Sequence, residues 1–472
     1  MNEKLEKLKN ELSGKNVTVI GIGVSNTPVI DFLLSCGAFV TARDKKNEDE
    51  LGDVAKSLKD KGVKLVLGEK YLENIEAELI LKTPGIRFDE PNIQKAVKNG
   101  AVLSSEMELF FDICPSKIFA VTGSDGKTTT TTLISEMLKA EAELRRSEAK
   151  VFLGGNIGKP LLPEIESIGC GDFCVLELSS FQLHTMKKSP DVAIITNISP
   201  NHLNWHTDME EYIEAKRNIG KYQNENGRIV LNADNDITAS MINSQKGKVS
   251  VFSTSKEPEF ECAERCAFLR GDDLIVKDGD GEHFILSEKD IKLPGIHNVQ
   301  NYMAAILALW GYVSQSAILK VAKEFGGVEH RLEFVREKGE VKYYNSSIDT
   351  SPTRTAAALN SFDRRVIVIC GGYDKHIPFE PLADVLISKA KSVILTGATA
   401  QKIEDTVLAH PDFDLKKLPI YREKEFKDAV TTASKIAQKG DIVILSPACA
   451  SFDAFENFAA RGRFFKTLVN EL

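Results

Sequence analysis

The sequence lacks the features that mark secreted, membrane-spanning or nucleic-acid-binding proteins. Its 8 cysteines include no C-x-x-C pair of the kind that holds zinc or a redox disulfide. No run approaches the ~20 apolar residues of a membrane span, and the charged start MNEKLEKLKNEL has no apolar centre like that of a secretory leader. With 60 basic and 68 acidic residues, the chain has no positive surplus for nucleic acid or anionic lipid. These absences predict buried free thiols and a cytoplasmic protein without nucleic-acid or membrane partners.

The order of apolar segments predicts an α/β protein of three domains. At 472 residues the chain is too long for one core. Short apolar strands alternate with helical segments in three successive runs, which is typical of parallel, doubly wound sheets. Between Val249 and Pro294, the segments VSVFS, CAFLRGDDLIVKDG and HFILSE predict a small antiparallel addition. The expected domains are residues 1–114, 115–327 and 328–472.

The glycine loop GIGVSN, from Gly21 to Asn26, follows the first strand and precedes a helix. Backbone N–H groups at such a helix N-terminus bind phosphate. Asp44 stands where a dinucleotide site places the acid that binds ribose, but Asn26 replaces the third glycine of that pattern. The loop therefore predicts a Rossmann-like domain. It leaves open whether the ligand is NAD, as in an oxidoreductase or regulator, or another nucleotide's diphosphate near Lys45 and Lys46.

A second glycine loop lies in VTGSDGKTTTTTL, from Val121 to Leu133. A strict G-x-x-x-x-G-K-[ST] loop needs glycine where Val121 stands, whereas the glycine here is Gly123. A connector rich in serine and threonine would explain the threonines, but not the order of apolar strand, glycines, Lys127 and helix start. The segment therefore predicts a nucleotide-phosphate site in which the Thr128 hydroxyl is a ligand of Mg²⁺.

Several further motifs, taken together, resemble those of the Mur ligase superfamily. They are GSDGKTTT, GNIGKP, LELSSFQL, NHLNWH followed by EAKRNI, HRLEF, GGYDK and LSPACASFDAFENFAARG. With the first loop, the matching motifs extend from Gly21 to Gly462, which is nearly the whole chain. The resemblance implies a Rossmann-like N-terminal domain, a central P-loop ATPase-type domain and a Rossmann-like C-terminal domain. It also implies an ADP-forming amide ligase, in which ATP phosphorylates a carboxylate and an amine attacks the acyl phosphate.

The C-terminal motif LSPACASFDAFENFAARG makes the expected reaction more specific. The resemblance implies that D-glutamate is joined to UDP-N-acetylmuramoyl-L-alanine in cytoplasmic peptidoglycan precursor synthesis, by a protein expected to be a monomer. The rival hypothesis keeps the mechanism but changes the amino acid or the acceptor, as in other Mur ligases or folylpolyglutamate synthase.

The resemblance implies ATP and two Mg²⁺ ions, with Mn²⁺ as an alternative metal. Lys127, His202 and Lys216 are the expected catalytic residues, with Lys216 converted by CO₂ to a carbamate. Without the resemblance, simpler interpretations stay open: Lys216 as a solvated lysine, His202 as a loop residue and Glu177 as a helix cap. The expected metal ligands are Thr128, Glu177, His202 and Lys216. The expected ATP contacts are Gly123, Ser124, Asp125, Gly126, Lys127, Thr128, Thr129, Asn298, Asn301 and, reaching over from the third domain, Arg331.

The resemblance assigns the UDP-sugar mainly to the first domain and D-glutamate to the third. Some of these residues have simpler explanations: Asn156 as a left-handed turn residue, Phe458 as a core aromatic, and Asn298 with Asn301 as a first helical turn. The expected UDP-sugar contacts are Gly23, Val24, Ser25, Asp44, Lys45, Thr83, Gly85 and Asn156. The expected D-glutamate contacts are Thr350, Lys375, Ser451 and Phe458, with Lys375 supplying the positive charge.

The sequence departs from the family's pattern at Asp125, Asn201, Asn204, Ser346 and Ile348. Asp125 replaces an asparagine, and its carboxylate would repel phosphates unless it points away or caps the helix. Asn201 and Asn204 replace two aspartates around His202. Ser346 replaces a further aspartate, so the resemblance implies that a carboxylate contact to the nucleotide is lost or moves to Asp349.

Overall fold

A computed structural model describes residues 2–23, 26–203, 205–259, 262–375 and 377–472. The described strands form three sheets of five, nine and six strands. The chain divides into two compact units, the first formed by Met1–Glu288 with Val299–Val321 and the second by Lys289–Asn298 with Ala322–Leu472. The first unit contains the first two sheets, and the second unit contains the third. The boundaries near residues 114 and 327 stay predictions.

The first sheet is parallel throughout and has the strand order β3-β2-β1-β4-β5. Its strands are β1 (Asn16–Ile20), β2 (Phe39–Asp44), β3 (Lys64–Leu67), β4 (Leu79–Lys82) and β5 (Val102–Ser104). Its helices are α1 (Glu3–Leu12), α2 (Asn26–Ser35), α3 (Glu48–Leu51), α4 (Asp53–Asp60), α5 (Pro91–Lys98) and α6 (Glu106–Ile113). From β1 the sheet continues through β2 and β3 on one side and through β4 and β5 on the other. The first glycine loop, which follows β1, therefore lies at the point where the strand order reverses, which is where such sheets bind ligands.

The second sheet has the strand order β14-β13-β12-β11-β10-β9-β6-β8-β7. Its strands are β6 (Lys117–Thr122), β7 (Val151–Gly155), β8 (Phe173–Glu177), β9 (Val192–Ile195), β10 (Arg228–Asn232), β11 (Lys248–Ser253), β12 (Ala263–Arg270), β13 (Asp273–Asp278) and β14 (Gly281–Ser287). The predicted antiparallel addition begins later than expected. VSVFS forms β11, which pairs in parallel with β10 and β12, and among the described residues of this sheet the antiparallel pairing runs from β12 to β14.

The helices of the central region begin with α7, which follows the second glycine loop. They are α7 (Lys127–Arg145), α8 (Ser180–Leu183), α9 (Met209–Lys221), α10 (Asp236–Ala239), α11 (Ile296–Ala308) and α12 (Gln315–Glu324), with 3₁₀ turns at Leu162–Ser167, Ile242–Ser244 and Glu288–Asp290. The threonine run fits a helix because its hydroxyls bond to carbonyls one turn earlier. Thr131 Oγ1 donates to Lys127 O, and Thr132 Oγ1 donates to Thr128 O, each over 2.8 Å.

The third sheet has the strand order β15-β16-β20-β17-β18-β19. Only the edge pair β15 and β16 is antiparallel among its pairings in the described chain. The strands are β15 (Glu333–Lys338), β16 (Val341–Asn345), β17 (Val366–Cys370), β18 (Ala390–Leu395), β19 (Ile420–Arg422) and β20 (Ile442–Leu445). The helices are α13 (Pro352–Asn360), α14 (Glu380–Lys389), α15 (Ala400–Leu408), α16 (Phe426–Ile436) and α17 (Phe458–Glu471). The three sheets confirm the predicted α/β class.

The thiols are free, as predicted, but not all of them are buried. Six of the 8 cysteines are buried, whereas Cys170 and Cys262 are exposed because they lie in surface turns before β8 and β12. The prediction of burial was therefore wrong for these two. Within the described ranges, no helix combines the length and the apolar character that crossing a bilayer requires.

Candidate active site

The second glycine loop joins β6 to α7 and admits only glycine at two positions. Gly123 has φ 150° and Gly126 has φ 77°. A Cβ atom on Gly123 would lie 1.9 Å from Thr196 Oγ1, and one on Gly126 would lie 2.3 Å from Asn301 Oδ1. The short loop therefore closes tightly on its neighbours, directly before the helix start of α7, where backbone N–H groups suit an anion.

Lys127 and Asp125 take different positions in this loop. Lys127 Nζ donates to the carbonyl oxygens of Gly123 and Ser124, each over 2.9 Å. Asp125 is exposed, and its backbone is held by Asn197, whose Oδ1 accepts from Asp125 N over 2.9 Å. The Asp125 carboxylate accepts no hydrogen bond from any described residue, so the predicted alternative in which it caps α7 is wrong. The other alternative, in which the carboxylate points away from bound phosphate, stays a prediction.

Thr128, Glu177 and Asn156 form one hydrogen-bonded group at the carboxyl end of β8. Glu177 is buried, and its Oε2 accepts from Thr128 Oγ1 over 2.6 Å. Its Oε1 accepts from Asn156 Nδ2 over 2.7 Å, and its backbone oxygen accepts from Asn156 N over 2.7 Å. Asn156 is not the left-handed turn residue, because Gly155 and Gly158 carry the positive φ angles of 91° and 72°. Two predicted metal ligands thus meet a predicted sugar contact.

Lys216 lies on α9, next to the second glycine loop, and is only 2 % exposed, so its interpretation as a solvated lysine is wrong. Its Nζ donates to Gly123 O over 2.7 Å and lies 4.7 Å from the centre of the Tyr212 ring. Burial, together with the positive charge of nearby Lys127, lowers the pKa of Lys216 well below its usual value. The neutral amine is therefore favoured, and this is the form that reacts with CO₂.

His202 occupies an exposed turn between β9 and α9, with φ 56°. Its backbone N–H donates to Asn201 Oδ1 over 2.9 Å, and its ring packs edge-on against Phe181 at 4.9 Å. Asn204, two residues further along the sequence, lies outside the described residues. Asn201, which replaces an aspartate of the family pattern, thus holds the turn through its amide oxygen.

Asn301 and Asn298 both lie in the first turns of α11 and are buried. Asn301 Oδ1 accepts from Thr130 Oγ1 over 3.2 Å, and the same oxygen borders Gly126. Asn298 Nδ2 donates to Pro294 O over 2.7 Å, which is a contact of the helix start itself. Asn301 is therefore a neighbour of the second glycine loop. Thr129 is half-buried in the first turn of α7.

The first glycine loop is held by the residue predicted to bind a ribose. Asp44 Oδ2 accepts from Ile22 N over 2.6 Å, so this carboxylate fixes the loop backbone. A Cβ on Gly21 would lie 2.7 Å from Thr83 Cγ2, which explains the glycine there. The remaining predicted sugar contacts, Gly23, Lys45 and Gly85, are exposed, and Val24 and Ser25 lie outside the described residues.

In the second unit, two of the predicted D-glutamate residues are in direct contact. Lys375 Nζ donates to Thr350 Oγ1 over 3.0 Å. Burial lowers the pKa of Lys375, and the positive charge of Arg354 adds to that effect. Ser451 is buried, and Phe458 is 36 % exposed at the start of α17, so Phe458 is not a core aromatic.

Arg461 is a residue of this region that the sequence did not single out. It is buried, and its Nη1 and Nη2 donate to Ala450 O and Cys449 O over 3.0 Å each. These bonds hold the segment that leads to Ser451. The only signal in the sequence was its place within the motif LSPACASFDAFENFAARG.

Ser346 and Asp349 show what replaces the family's aspartate. Ser346 Oγ accepts from Leu332 N over 3.2 Å, so this side chain holds the backbone next to Arg331. Asp349 is buried, and its Oδ2 accepts from Ser446 Oγ over 2.7 Å. Burial raises the pKa of Asp349 to about 6. The Asp349 carboxylate is thus engaged inside the unit.

Beside NHLNWH lies a group of side chains that the sequence did not reveal, formed by His184, His206 and Glu211. The facing imidazole and carboxylate atoms of these three residues lie within 4.8 Å of one another. Arg87 Nη2 donates to Glu211 Oε1 over 2.9 Å, and Trp205 Nε1 donates to Gly85 O over 3.0 Å. His206 was visible in the motif, but its partners come from separate helices.

Comparison with known proteins agrees with this arrangement of sheets and loops. Three family models match: the MurD-like N-terminal domain of Mur ligases over residues 15–104, the Mur ligase middle domain over residues 121–309, and the Mur ligase glutamate ligase domain over residues 330–449. The chain therefore belongs to the Mur ligase family.

Particular relatives are similar over their whole length. The UDP-N-acetylmuramoylalanine–D-glutamate ligase of Clostridium novyi is 50% identical over 474 residues, covering 100% of both chains. The ligase of the same name from Acetivibrio thermocellus is 49% identical over 475 residues, again covering 100% of both. Among solved structures, the UDP-N-acetylmuramate-alanine ligase of Thermotoga maritima is 21% identical with a TM-score of 0.54, covering 97% of this chain and 99% of that one. That likeness establishes the fold.

Proposed function

We propose that this protein is an ADP-forming ligase that joins D-glutamate to UDP-N-acetylmuramoyl-L-alanine in cytoplasmic peptidoglycan precursor synthesis. The observation that carries the chemistry is the phosphate loop with Thr128, Glu177 and Lys216 gathered around it. The full-length relatives named for this reaction, at about half identity, support the choice of substrates. The three domains of the proposed enzyme are residues 1–114, 115–327 and 328–472, and it acts as a monomer.

The phosphate loop positions ATP. The N–H groups at the start of α7 bind the phosphates, and Lys127 exchanges its bonds to two loop carbonyls for phosphate oxygens. Mg²⁺ prefers oxygen ligands. The Thr128 hydroxyl and the Glu177 carboxylate are such ligands, and they are hydrogen-bonded to each other. When bound, Mg²⁺ neutralises phosphate charge; a second ion is assigned to His202 and carbamylated Lys216.

Lys216 acquires its carbamate by direct reaction with CO₂. The neutral amine nitrogen attacks the carbon of CO₂ and opens one C=O π bond, and one N–H proton is released to solvent, which leaves an anionic carboxylate on nitrogen. The low pKa that burial gives Lys216 supports this step, since a protonated amine does not react. The modification replaces an amine by carboxylate oxygens, which suit Mg²⁺.

The two substrates other than ATP are assigned to different regions. Lys375 pairs with a carboxylate of D-glutamate, and Thr350 and Ser451 donate hydroxyl hydrogen bonds while Phe458 forms a wall. The UDP diphosphate is assigned to the first glycine loop, which Asp44 braces. Asn156 then orients the sugar peptide next to Glu177.

Phosphate release with a panel of amino acids tests this function. Purified protein with ATP and UDP-N-acetylmuramoyl-L-alanine is expected to release phosphate with D-glutamate, and not with L-glutamate, L-lysine or diaminopimelate. Lys375→Ala is expected to raise KM for D-glutamate without changing KM for ATP. Release that is equally fast without D-glutamate would contradict the proposal. Titration with NADH and with the UDP-sugar distinguishes the ligase from an NAD-dependent oxidoreductase. The oxidoreductase hypothesis requires tight binding of NADH and no binding of the UDP-sugar.

A further inference from the structure

A group of nitrogen and oxygen ligand atoms lies beside the proposed active site, on residues that have no role in the reaction proposed above. His184 Nε2 lies 3.1 Å from Glu211 Oε1, and His206 Nδ1 lies 3.4 Å from Glu211 Oε2. His184 directly follows α8, His206 precedes α9, and Glu211 lies in the first turn of α9. Separations of this size are those between neighbouring ligands of one tetrahedral ion with bonds near 2 Å.

The His206 ring is arranged as the ring of a metal-ligating histidine is. Its Nε2 makes a 3.0 Å hydrogen bond with Ser180 Oγ, which fixes the orientation of the ring. Its Nδ1 is buried, has no hydrogen-bond partner and faces the Glu211 carboxylate. Because a buried polar nitrogen without a partner is costly, this atom is the independent sign that a ligand belongs here.

The protonation of the group also favours a metal ion. Burial lowers the pKa of His206 to about 4 and lowers that of His184, so both imidazoles are neutral at pH 7. Hydrogen bonds from Arg87 lower the pKa of Glu211 to about 2, so it is a carboxylate. Two neutral imidazoles and one carboxylate form a donor set typical of zinc.

We propose that His184, His206 and Glu211 bind one divalent transition-metal ion of the Zn²⁺ class. The ion differs from the Mg²⁺ of the ATP site, because imidazole nitrogens suit Zn²⁺ and Co²⁺, whereas Mg²⁺ takes oxygen. Arg87 remains on Glu211 as an outer partner that orients the carboxylate. The side chains of His184 and Glu211 are 9% and 19% exposed, which gives the ion a path from solvent.

Co²⁺ is the probe, because its visible absorption reports tetrahedral coordination by nitrogen and oxygen. The full chain, freed of metal by a chelator and then supplied with excess Mg²⁺, is titrated with Co²⁺. One Co²⁺ per chain is expected to give the tetrahedral spectrum. His184→Gln is expected to weaken binding more than about 100-fold, and Ser180→Ala about tenfold with the spectrum kept. His283→Gln is the matched control, since His283 pairs with Asp278 at 3.0 Å on β13 and β14.

Thermal unfolding gives a second reading that does not require activity. Zn²⁺ is expected to raise the Tm of the wild type and of His283→Gln, but not that of His184→Gln, because ligands that bind only the folded state stabilise it. A wild type that shows only the spectrum of aqueous Co²⁺ would overturn the proposal. So would a tetrahedral spectrum that survives in His184→Gln and is lost in His202→Ala, because the ion would then lie at the ATP site. Neither reading needs the ligase reaction, so the proposal stands or falls apart from it.

Discussion

Lys216 and Lys127 donate to the same carbonyl oxygen, that of Gly123, over 2.7 Å and 2.9 Å. Two ammonium groups on one acceptor repel each other, and Lys216 is the buried one. The shared carbonyl therefore links α9 to the phosphate loop and favours loss of the proton from Lys216. In the proposed mechanism, Lys216 therefore connects the second metal ion, which its carbamate binds, with the loop that binds the phosphates of ATP.

Lys216→Ala is expected to lower the rate of ligation on the order of 100-fold or more, because the carbamate oxygens are lost. Added formate or acetate is expected to restore part of the activity by supplying a carboxylate in the vacated space. Lys221→Ala, on the exposed end of the same helix, is the control and should keep the wild-type rate. Full activity of Lys216→Ala in buffer depleted of CO₂ would remove the carbamate from the mechanism.

Asp125→Asn is expected to leave KM for ATP unchanged or to lower it. The carboxylate is exposed and makes no hydrogen bond with described residues, and it belongs to the loop proposed to bind the phosphates, so its removal is expected to relieve repulsion. Initial rates at varied ATP concentration measure the effect, and the benefit is expected to shrink as salt rises because salt screens exposed charges. A large rise in KM would show instead that Asp125 contributes to binding.

Thr128→Ala is expected to raise the Mg²⁺ concentration needed for half-maximal rate by about tenfold or more. Thr128→Ser keeps the hydroxyl that now bonds to Glu177 and should stay close to wild type. Thr132→Ala, one turn later on α7, is the control for changes in the helix itself. Equal Mg²⁺ dependence in the Ala and Ser variants would show that the hydroxyl does not serve the metal.

The sequence predicted the elements near each motif well and the long-range partners poorly. Both glycine loops lie between a strand and a helix as predicted, because strand, glycine and helix start lie within one short segment. The burial of Lys216 could not be predicted, since the helix pattern of EEYIEAKRNIGKY does not reveal that its lysine faces β6 and Gly123. VSVFS was placed in the antiparallel addition because an apolar strand looks the same in either pairing direction.

The site beside NHLNWH shows the same limit. His206 lies within the motif, but His184 and Arg87 come to Glu211 from distant parts of the chain. No local spacing in the sequence brings His184, Arg87 and Glu211 together, because their contacts depend on how distant segments pack within the first unit. Asp349 is a comparable case, since its partner Ser446 follows a strand almost a hundred residues later.

Asp349 makes stability depend on pH in a definite direction. Its folded pKa, about 6, lies above its ordinary value of 3.8, so the folded state holds the proton more tightly. Stability from this group is therefore full below about pH 3.8 and falls by about 3 kcal/mol as pH rises to about 6. The groups facing it are the hydroxyls of Ser346 and Ser446 and the positive charges of Arg331 and Arg354, which offset part of the burial effect.

Asp349→Asn is expected to remove that loss. Denaturant unfolding of the wild type and the variant at several pH values between 4 and 7 gives the difference in unfolding free energy. The variant should gain relative to the wild type as pH rises, and a difference that stays constant across this range would show that Asp349 does not titrate there.

The most direct test of the account follows a single oxygen atom. UDP-N-acetylmuramoyl-L-alanine that carries a heavy oxygen isotope at both oxygens of its alanine carboxylate is incubated with the enzyme, ATP and D-glutamate, and the released phosphate is analysed by mass spectrometry. The proposed mechanism predicts one heavy oxygen per phosphate. A carboxylate oxygen attacks the γ-phosphorus and displaces ADP, and it leaves with the phosphate when the D-glutamate amine attacks the acyl carbon and forms the amide. Phosphate without the label, or equal phosphate release when D-glutamate is omitted, would contradict it.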